Sequence, residues 1–410
     1  MKELMDKNTS CTFDFFDPEF QQDTHPTYAR LLEQCPFSKG KGEHDFYAVS
    51  RYKDIVSICK ATDMWSSKFG PGLRYYSPDE PRALVNVDPP EHDVEVQIVR
   101  RAFSGAYIKS LEDGIRDYSR ELLADLPDSG EIDIHRAYSI PIPLYVICKL
   151  LGIDYADAKA HGFDDWVINN AISTVYDPAD EEKAAIAADA QSEMIAYFTP
   201  KLKEWSDRIA AGDAAPDENL ITRLVTAEHE GVKLSTNKIL GFCGFLLVAG
   251  SATTTTAITN LVYRLFRHPE QRAKLVAEPA LIAQAVEEGL RYDAPVHGLF
   301  RTNNRPTKLG SYDLEENTKV ALLWASGNLD PEFIDEPELF DISRELKSTR
   351  RNLTFGYGIH TCLGASLARM EIAIAIAELL AKMPNYELVG EPKPSTPDVM
   401  SGFESLMIKW

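Results

Sequence analysis

The sequence predicts a mostly α protein whose small β content lies mainly towards its two ends. Three observations carry this. From Glu91 to about Arg267 apolar residues recur with helical period, interrupted at Pro127, Pro141, Pro143, Pro178 and a Gly212 to Pro216 linker. The runs with strand character, Phe46 to Ser50, Thr307 to Trp324 and Tyr386 to Trp410, fall outside that block. The chain has 410 residues, 44% of them hydrophobic, which suffices for a large packed core in one unit or two to three domains.

Taken in order, the strand Phe46 to Ser50 is followed by a helical pattern from Tyr52 to Ala61, and residues 66 to 86 read as a long loop rich in Gly, Pro and Tyr. The stretch from Ile239 to Tyr263 holds no charged residue. A membrane span needs roughly 18 or more apolar residues. Only Ile239 to Gly250 is properly apolar, and Ser251, four consecutive threonines and Asn260 follow, so the segment reads as a buried core helix. That helix starts near Ser235 to Lys238 and ends near Arg267; some 30 residues at about 1.5 Å each cross ~45 Å of protein. Short strands from Thr307 to Trp324 turn at Gly310 and Asn317, an irregular stretch runs to about Gly364, and a last long helix covers Ala365 to Met383.

Sixty-three acidic against 43 basic residues give a formal charge of -20, which repels nucleic-acid backbones and anionic membranes and excludes both as partners. The six cysteines, at 11, 35, 59, 148, 243 and 362, show no paired short spacing of the zinc or disulfide-scaffold kind. The amino terminus lacks the apolar core of a secretory signal, so the expectation is a cytoplasmic, reducing setting.

The strongest chemical signal is Phe355-Gly356-Tyr357-Gly358-Ile359-His360-Thr361-Cys362-Leu363-Gly364, which leads directly into the last helix. Glycines 356 and 358 permit backbone conformations closed to other residues and a close approach to a flat partner. Cys362 sits just before a helix amino terminus, where unpaired N–H groups favour thiolate over thiol. A single thiolate so placed suits haem iron, where it favours O–O cleavage.

This motif, continuing as Leu-Ala-Arg-x-Glu to Glu371, closely resembles the haem signature of the cytochrome P450 family. Glu288-Gly289-Leu290-Arg291 and Asp88-Pro89-Pro90-Glu91-His92 resemble two further family motifs, so the likeness spans almost the whole chain. The resemblance implies the cytochrome P450 fold: one domain over 1–410, a triangular helical prism with a β-rich lobe from about 1–60, 300–325 and 386–410, and haem between two long helices. It also implies haem b as cofactor, and a monooxygenase of the soluble bacterial type that inserts one atom of O2 into a small or medium lipophilic substrate by hydroxylation or dealkylation. With no reductase signature in the chain, electrons come from a separate ferredoxin-type donor. A peroxide-driven or atypical haem-thiolate enzyme and a non-catalytic haem sensor are the alternatives.

Carried over position by position, the resemblance assigns Cys362 as axial iron ligand and His92, Phe103, Ala249, Arg301, Phe355, Gly356, His360 and Gly364 as haem contacts. The haem propionates call for cationic or N–H donors, which His92, Arg301 and His360 offer. Relatives carry an arginine four residues after the histidine; Val96 stands there, with Arg100 or Arg101 one turn on as substitutes. Ala249-Gly250-Ser251-Ala252-Thr253-Thr254 resembles the oxygen-binding kink, with Gly250, Ser251 and Thr253 as catalytic candidates. Ala252 replaces the usual acid, leaving water, Ser251 or Thr254 to relay protons; a cluster of hydroxyls bonded back to its own helix is the structural alternative. Glu288, Arg291 and Arg344 resemble a buried structural lock. The family's substrate regions map onto Lys68 to Leu84, Trp166 to Thr174, Phe245 and Val248, Pro295 to Leu299 and Gly402-Phe403. Phe69, Leu73, Tyr75, Phe245, Val248, Val296 and Phe403 stand out there, with Arg74 or His297 as anchors for a polar group. Lys347, Arg350, Arg351, Arg100 and Arg101 form, by analogy, a basic patch for an acidic ferredoxin. The histidines 25, 44, 135, 161, 229 and 268 read as ordinary core or surface groups.

Overall fold

The computed structural model describes residues 11–41, 46–76, 84–167, 181–395 and 400–410. The helices that frame the site are Tyr52–Lys60 (α1), Glu91–Ala102 (α2), Pro141–Leu151 (α3), Glu181–Ala211 (α4), Thr236–Arg267 (α5), Ile282–Tyr292 (α6) and Ala365–Lys382 (α7). Ser235 caps α5 by accepting from the Lys238 amide, and the Lys238 ammonium pairs with Glu91 and Glu95 of α2. By length and composition α5 could cross a membrane. It is instead threaded through the helical core, with Phe242, Leu247, Ile258 and Leu265 all buried. It runs as continuous α-helix through Gly250, so no break marks the expected kink.

One six-stranded sheet joins the two parts of the chain that carry strand signals. Its strands are Thr12–Phe13 (β1), Phe37–Gly40 (β2), Phe46–Val49 (β3), Trp65–Ser66 (β4), Leu299–Asn303 and Lys319–Leu322. Chain order continues with Glu131–Asp133 as β5, Leu299–Asn303 as β6 and Lys319–Leu322 as β7; the sheet order is β1-β2-β3-β7-β6-β4. The strand period of two divides β7 between two cores. Ala321 joins Phe13, Phe20, Tyr28 and Phe300 on one face, while Val320 and Leu322 join Ile55, Trp65 and Trp324 on the other.

The carboxyl-terminal strands Glu387–Leu388 (β8) and Met407–Lys409 (β9) pair with β5, not with this sheet. Leu388, Leu406, Ile408 and Trp410 pack into the helical core, so most of 386–410 departs from the expected β-rich lobe. Its alternation is that of a strand, but alternation does not say which core the apolar face meets. A second departure concerns cysteine. Cys11 and Cys35 form a disulfide, brought together across 24 residues where β1 and β2 run in parallel. Disulfides persist mainly in oxidising surroundings, so cysteine usage does not argue for a reducing compartment.

Candidate active site

The thiolate loop is shaped by its glycines. Gly356 and Gly358 take φ of +69° and +77°, and a Cβ on Gly358 would lie 3.0 Å from the Cys59 carbonyl of α1. The Cys362 amide closes the loop on Phe355 O at 2.9 Å. Below it, buried Glu287 accepts from Arg369 Nε (2.5 Å), Arg350 Nε (3.2 Å) and Asn352 Nδ2 (3.2 Å), and the Arg369 guanidinium lies 4.2 Å over the Phe355 ring. Sequence reading missed Glu287. The available signal was Arg369 of the Leu-Ala-Arg run, a cation next to the loop that needs a buried carboxylate.

The structure brings Glu288, Arg291 and Arg344 together. Glu288 and Arg291 are both fully buried and bidentate, 2.7 Å at each contact, and Arg344 Nε reaches Glu288 Oε1 at 3.2 Å. Arg291 also donates to the carbonyls of Asn328, Pro337 and Leu339. Asn328 in turn accepts from the Leu353 amide and donates to Thr354, immediately before Phe355.

Cys362 retains accessible surface, unlike the other three free cysteines, which are buried. Burial pushes its thiol up; the Gly364 and Ala365 amides and Arg369 pull it down without prevailing.

On α5, Ile239, Cys243, Leu247 and Ser251 form one buried stripe at i, i+4 spacing, while Phe245, Val248, Ala249, Ala252 and Thr253 make up a less buried stripe. Thr253 Oγ1 donates to Ala249 O at 2.8 Å, the back-bonded arrangement, which leaves its oxygen able to accept. Two catalytic candidates are turned elsewhere. Ser251 is 2% exposed, faces the core, and its hydroxyl has no partner. Gly250 accommodates α3: a Cβ there would meet Ile147 Cδ1 at 2.5 Å. Its small size serves helix packing as well as the site.

His92, Arg301 and His360 converge. The two imidazoles are 4.5 Å apart centroid to centroid, and His360 Nε2 lies 3.0 Å from Ser67 Oγ. Burial, then Arg301 and His92, push His360 down to about 3, and its buried Nδ1 has no partner. Asp93 touches His92 from the exposed rim and Asp88 is engaged by Ser66 and Ser67. Among the described residues no carboxylate bonds Arg301 or His360. Such a donor set is completed by an anion. Val96, 6% exposed, packs in the helical core, while Arg100 is exposed and Arg101's side chain lies outside the description. Phe103 caps α2 and meets Phe242 edge-on at 6.5 Å.

The expected substrate residues divide. Leu73 is buried in one cluster with Phe300, with Val296 and Met400 at its edge, and Phe69, four residues before Leu73, is half-buried. Tyr75 is 45% exposed and donates to Asn317 O, outside the crevice. Phe403 meets the Tyr263 ring at 4.8 Å, tilted by 57°; Tyr263 is ten residues, about 15 Å, along α5 from Thr253. Met400 forms an antiparallel bridge with Val296, a pairing that only the fold reveals. His297 is no anchor: it is fully buried, hydrogen-bonded to Tyr28 at 2.7 Å, and pushed down to about 3 by burial. Arg74 lies over the Tyr76 ring. Trp166 donates to Glu193, and residues 168–174 are outside the described residues. His25 faces Asp293 and His135 faces Thr259, both structural; His44 falls outside the described residues.

A cysteine loop with positive-φ glycines, a less buried stripe of small residues on α5 and the cluster of His92, Arg301 and His360 with an orphaned imidazole nitrogen supply what a haem needs, a sulfur for iron and cations or N–H donors for carboxylates. These residues suit an iron porphyrin, and the site defines a haem-thiolate protein. The comparisons agree. The family model for Cytochrome P450 matches residues 35–408. The chain is 31% identical over 392 residues to cytochrome P450 107B1 of Saccharopolyspora erythraea, 92% of each chain, and 31% identical over 382 residues to vitamin D(3) 25-hydroxylase of Pseudonocardia autotrophica, 92% of this chain and 90% of that one. A cytochrome P450 structure from Chondromyces apiculatus superposes with a TM-score of 0.86 at 29% identity, covering 97% of this chain and 98% of that one. The chain belongs to the cytochrome P450 family. It is a haem monooxygenase, an oxidoreductase that uses O2, a lipophilic substrate and a redox partner.

Proposed function

We propose that this monooxygenase hydroxylates or dealkylates a small or medium lipophilic molecule, holds haem b, and takes electrons from a ferredoxin-type donor in the cytoplasm. Bound haem supplies the iron at which dioxygen is activated; the chain's residues do the rest. Cys362 would hold the iron through its sulfur, and His92, Arg301 and His360 would receive the haem carboxylates. Phe245, Val248, Leu73 and Val296 give an apolar wall that excludes water from the substrate. Thr253 holds a proton donor at Oγ1, either a water or its own hydroxyl released from Ala249 O. With Ala252 beside it, no side chain there ionises near neutral pH, so protons arrive through water. The observation that carries this reading is the less buried small-residue stripe of α5 bearing Thr253, in a chain whose exposed Cys362 sits on a positive-φ glycine loop before a helix.

The donor surface is supported by a groove of about 580 Å³ next to the thiolate loop, lined among others by Lys60, Arg350, Arg351 and Arg369. Glu287 neutralises part of Arg350 and Arg369, leaving Lys60 and Arg351 as the outermost charges. Lys347 pairs with Glu345. Arg351→Glu should slow electron transfer from an acidic ferredoxin at low salt and converge with the parent as ionic strength rises and the Debye length falls below about 10 Å. Equal rates at low salt would remove the patch from the account.

Ala252 favours a second reading, peroxide-driven turnover. A screen for substrate-induced spin-state shifts, followed by product formation with a surrogate ferredoxin chain against peroxide alone, decides between them. Turnover only with the electron chain supports the monooxygenase route, and turnover only with peroxide supports the second.

A further inference from the structure

Lys319 opens β7 and is 1% exposed. It shares a face with Ala321, towards the core built from Phe46 and Phe300. Its ammonium has three donors, and all three meet carbonyls of a single loop: Gly72 O at 2.6 Å and Phe69 O and Gly70 O at 3.0 Å each. The rings of Tyr75 and Phe300 flank it at 4.8 and 5.8 Å. Its partners in strand register, Phe46 and Thr302, do not ionise. The one charge felt from the loop is Arg74, which repels it, and burial with that repulsion drives Lys319 down to about 7.

A buried cation without a carboxylate is costly. What it satisfies is loop backbone that would otherwise be orphaned on burial. The same loop is tied at Pro71 O by the Phe300 amide (2.9 Å) and at Tyr75 by Asn317 O. It begins at Ser67, against His360, and delivers Leu73 beside Val296.

We propose that Lys319 is a positioning residue that pins the backbone of residues 69–72 to β7 and so sets how closely Phe69 and Leu73 wall the substrate side of the haem crevice. This rests on the proposed reading of that crevice as the substrate site, and its test is independent of turnover.

In the holoenzyme, Lys319→Met keeps the length of the side chain and removes its three donors. Hydrogen exchange at the Gly70, Tyr76 and Phe300 amides should accelerate by about tenfold or more, since hydrogen bonds from a charged donor are each worth ~1.5–3 kcal/mol. The amides of Ala321 and Leu322 should keep their protection. Lys319→Gln retains two donors and should fall between parent and Lys319→Met, which serves if the methionine variant folds poorly. Stopped-flow binding to ferric haem supplies the second arm: the rate for 4-phenylimidazole should rise relative to that for imidazole. Unchanged loop protection, or loss spread evenly over the sheet, overturns the tether. A loosened loop with the parent's ratio of azole rates overturns its role in walling the site while leaving the monooxygenase reading intact.

Discussion

Replacing Glu288 by glutamine tests whether the buried lock supports the haem loop. Glu288 accepts two contacts from Arg291, one from Arg344 and one from the Asp341 amide, at 0% exposure. Glutamine keeps the shape, sets an NH2 against a guanidinium N–H, and leaves Arg291 buried without a counter-charge. Breaking one side of a buried pair costs about 3–5 kcal/mol, a large part of the ~5–15 kcal/mol that holds a typical fold. Arg344, on the exposed edge, recovers some of this by turning to water. The strain passes through Asn328 to Leu353 and Thr354, so haem should also be released faster. Urea midpoints by circular dichroism and haem transfer to an acceptor globin read the two effects. The double variant Glu288→Leu with Arg291→Met should cost less than the sum of its single changes, because it removes both charges. A Glu288→Gln variant within about 1 kcal/mol of the parent, as an exposed pair would give, or strict additivity, would refute this reasoning.

Two further predictions concern hydroxyl and carboxyl groups around the site. Thr253→Ala should raise the fraction of reducing equivalents lost as peroxide, while Ser251→Ala, which removes a buried hydroxyl with no partner, should leave coupling unchanged and stability equal or higher; product per reducing equivalent checks both, and a coupling loss in Ser251→Ala would restore it to the proton route. Glu371 is buried with Oε2 unpartnered, and burial holds its carboxyl well above the usual range. Its folded pKa exceeds its unfolded value of about 4.3, so the parent keeps full stability below that pH and loses stability as pH climbs towards the folded value. Glu371→Gln should therefore gain on the parent in denaturation midpoint as pH rises above about 4.3; parallel curves would contradict this.

Much of the frame was legible in the chain. The cap at Ser235, the apolar run and the closing arginines bound α5, and the glycines around Cys362 mark its loop. The Glu288–Arg291 pair was legible as a pattern, but its burial was not, because i, i+3 spacing is the same on a surface. The facing of Ser251 was recoverable: Ile239, Cys243 and Leu247 fix the core stripe, and 251 continues it, some 200° from Thr253. Other features depend on tertiary register, which no local pattern contains. Cys11 meets Cys35 only because β1 and β2 run parallel, and Lys319 reads as a strand-end surface lysine until a loop from residue 69 folds over it. The contact of Phe403 with Tyr263 likewise depends on tertiary register.

The central claim is that Cys362 alone supplies the protein's thiolate to haem iron. Cys59, Cys148 and Cys243 are buried, whereas Cys362 retains accessible surface, follows two positive-φ glycines and directly precedes a helix. The direct measurement is the absorption spectrum of the ferrous carbon monoxide adduct. The parent and Cys243→Ser should show the red-shifted Soret band of thiolate ligation, and Cys362→His should lose it while still binding haem. A thiolate-type band persisting in Cys362→His would contradict the account.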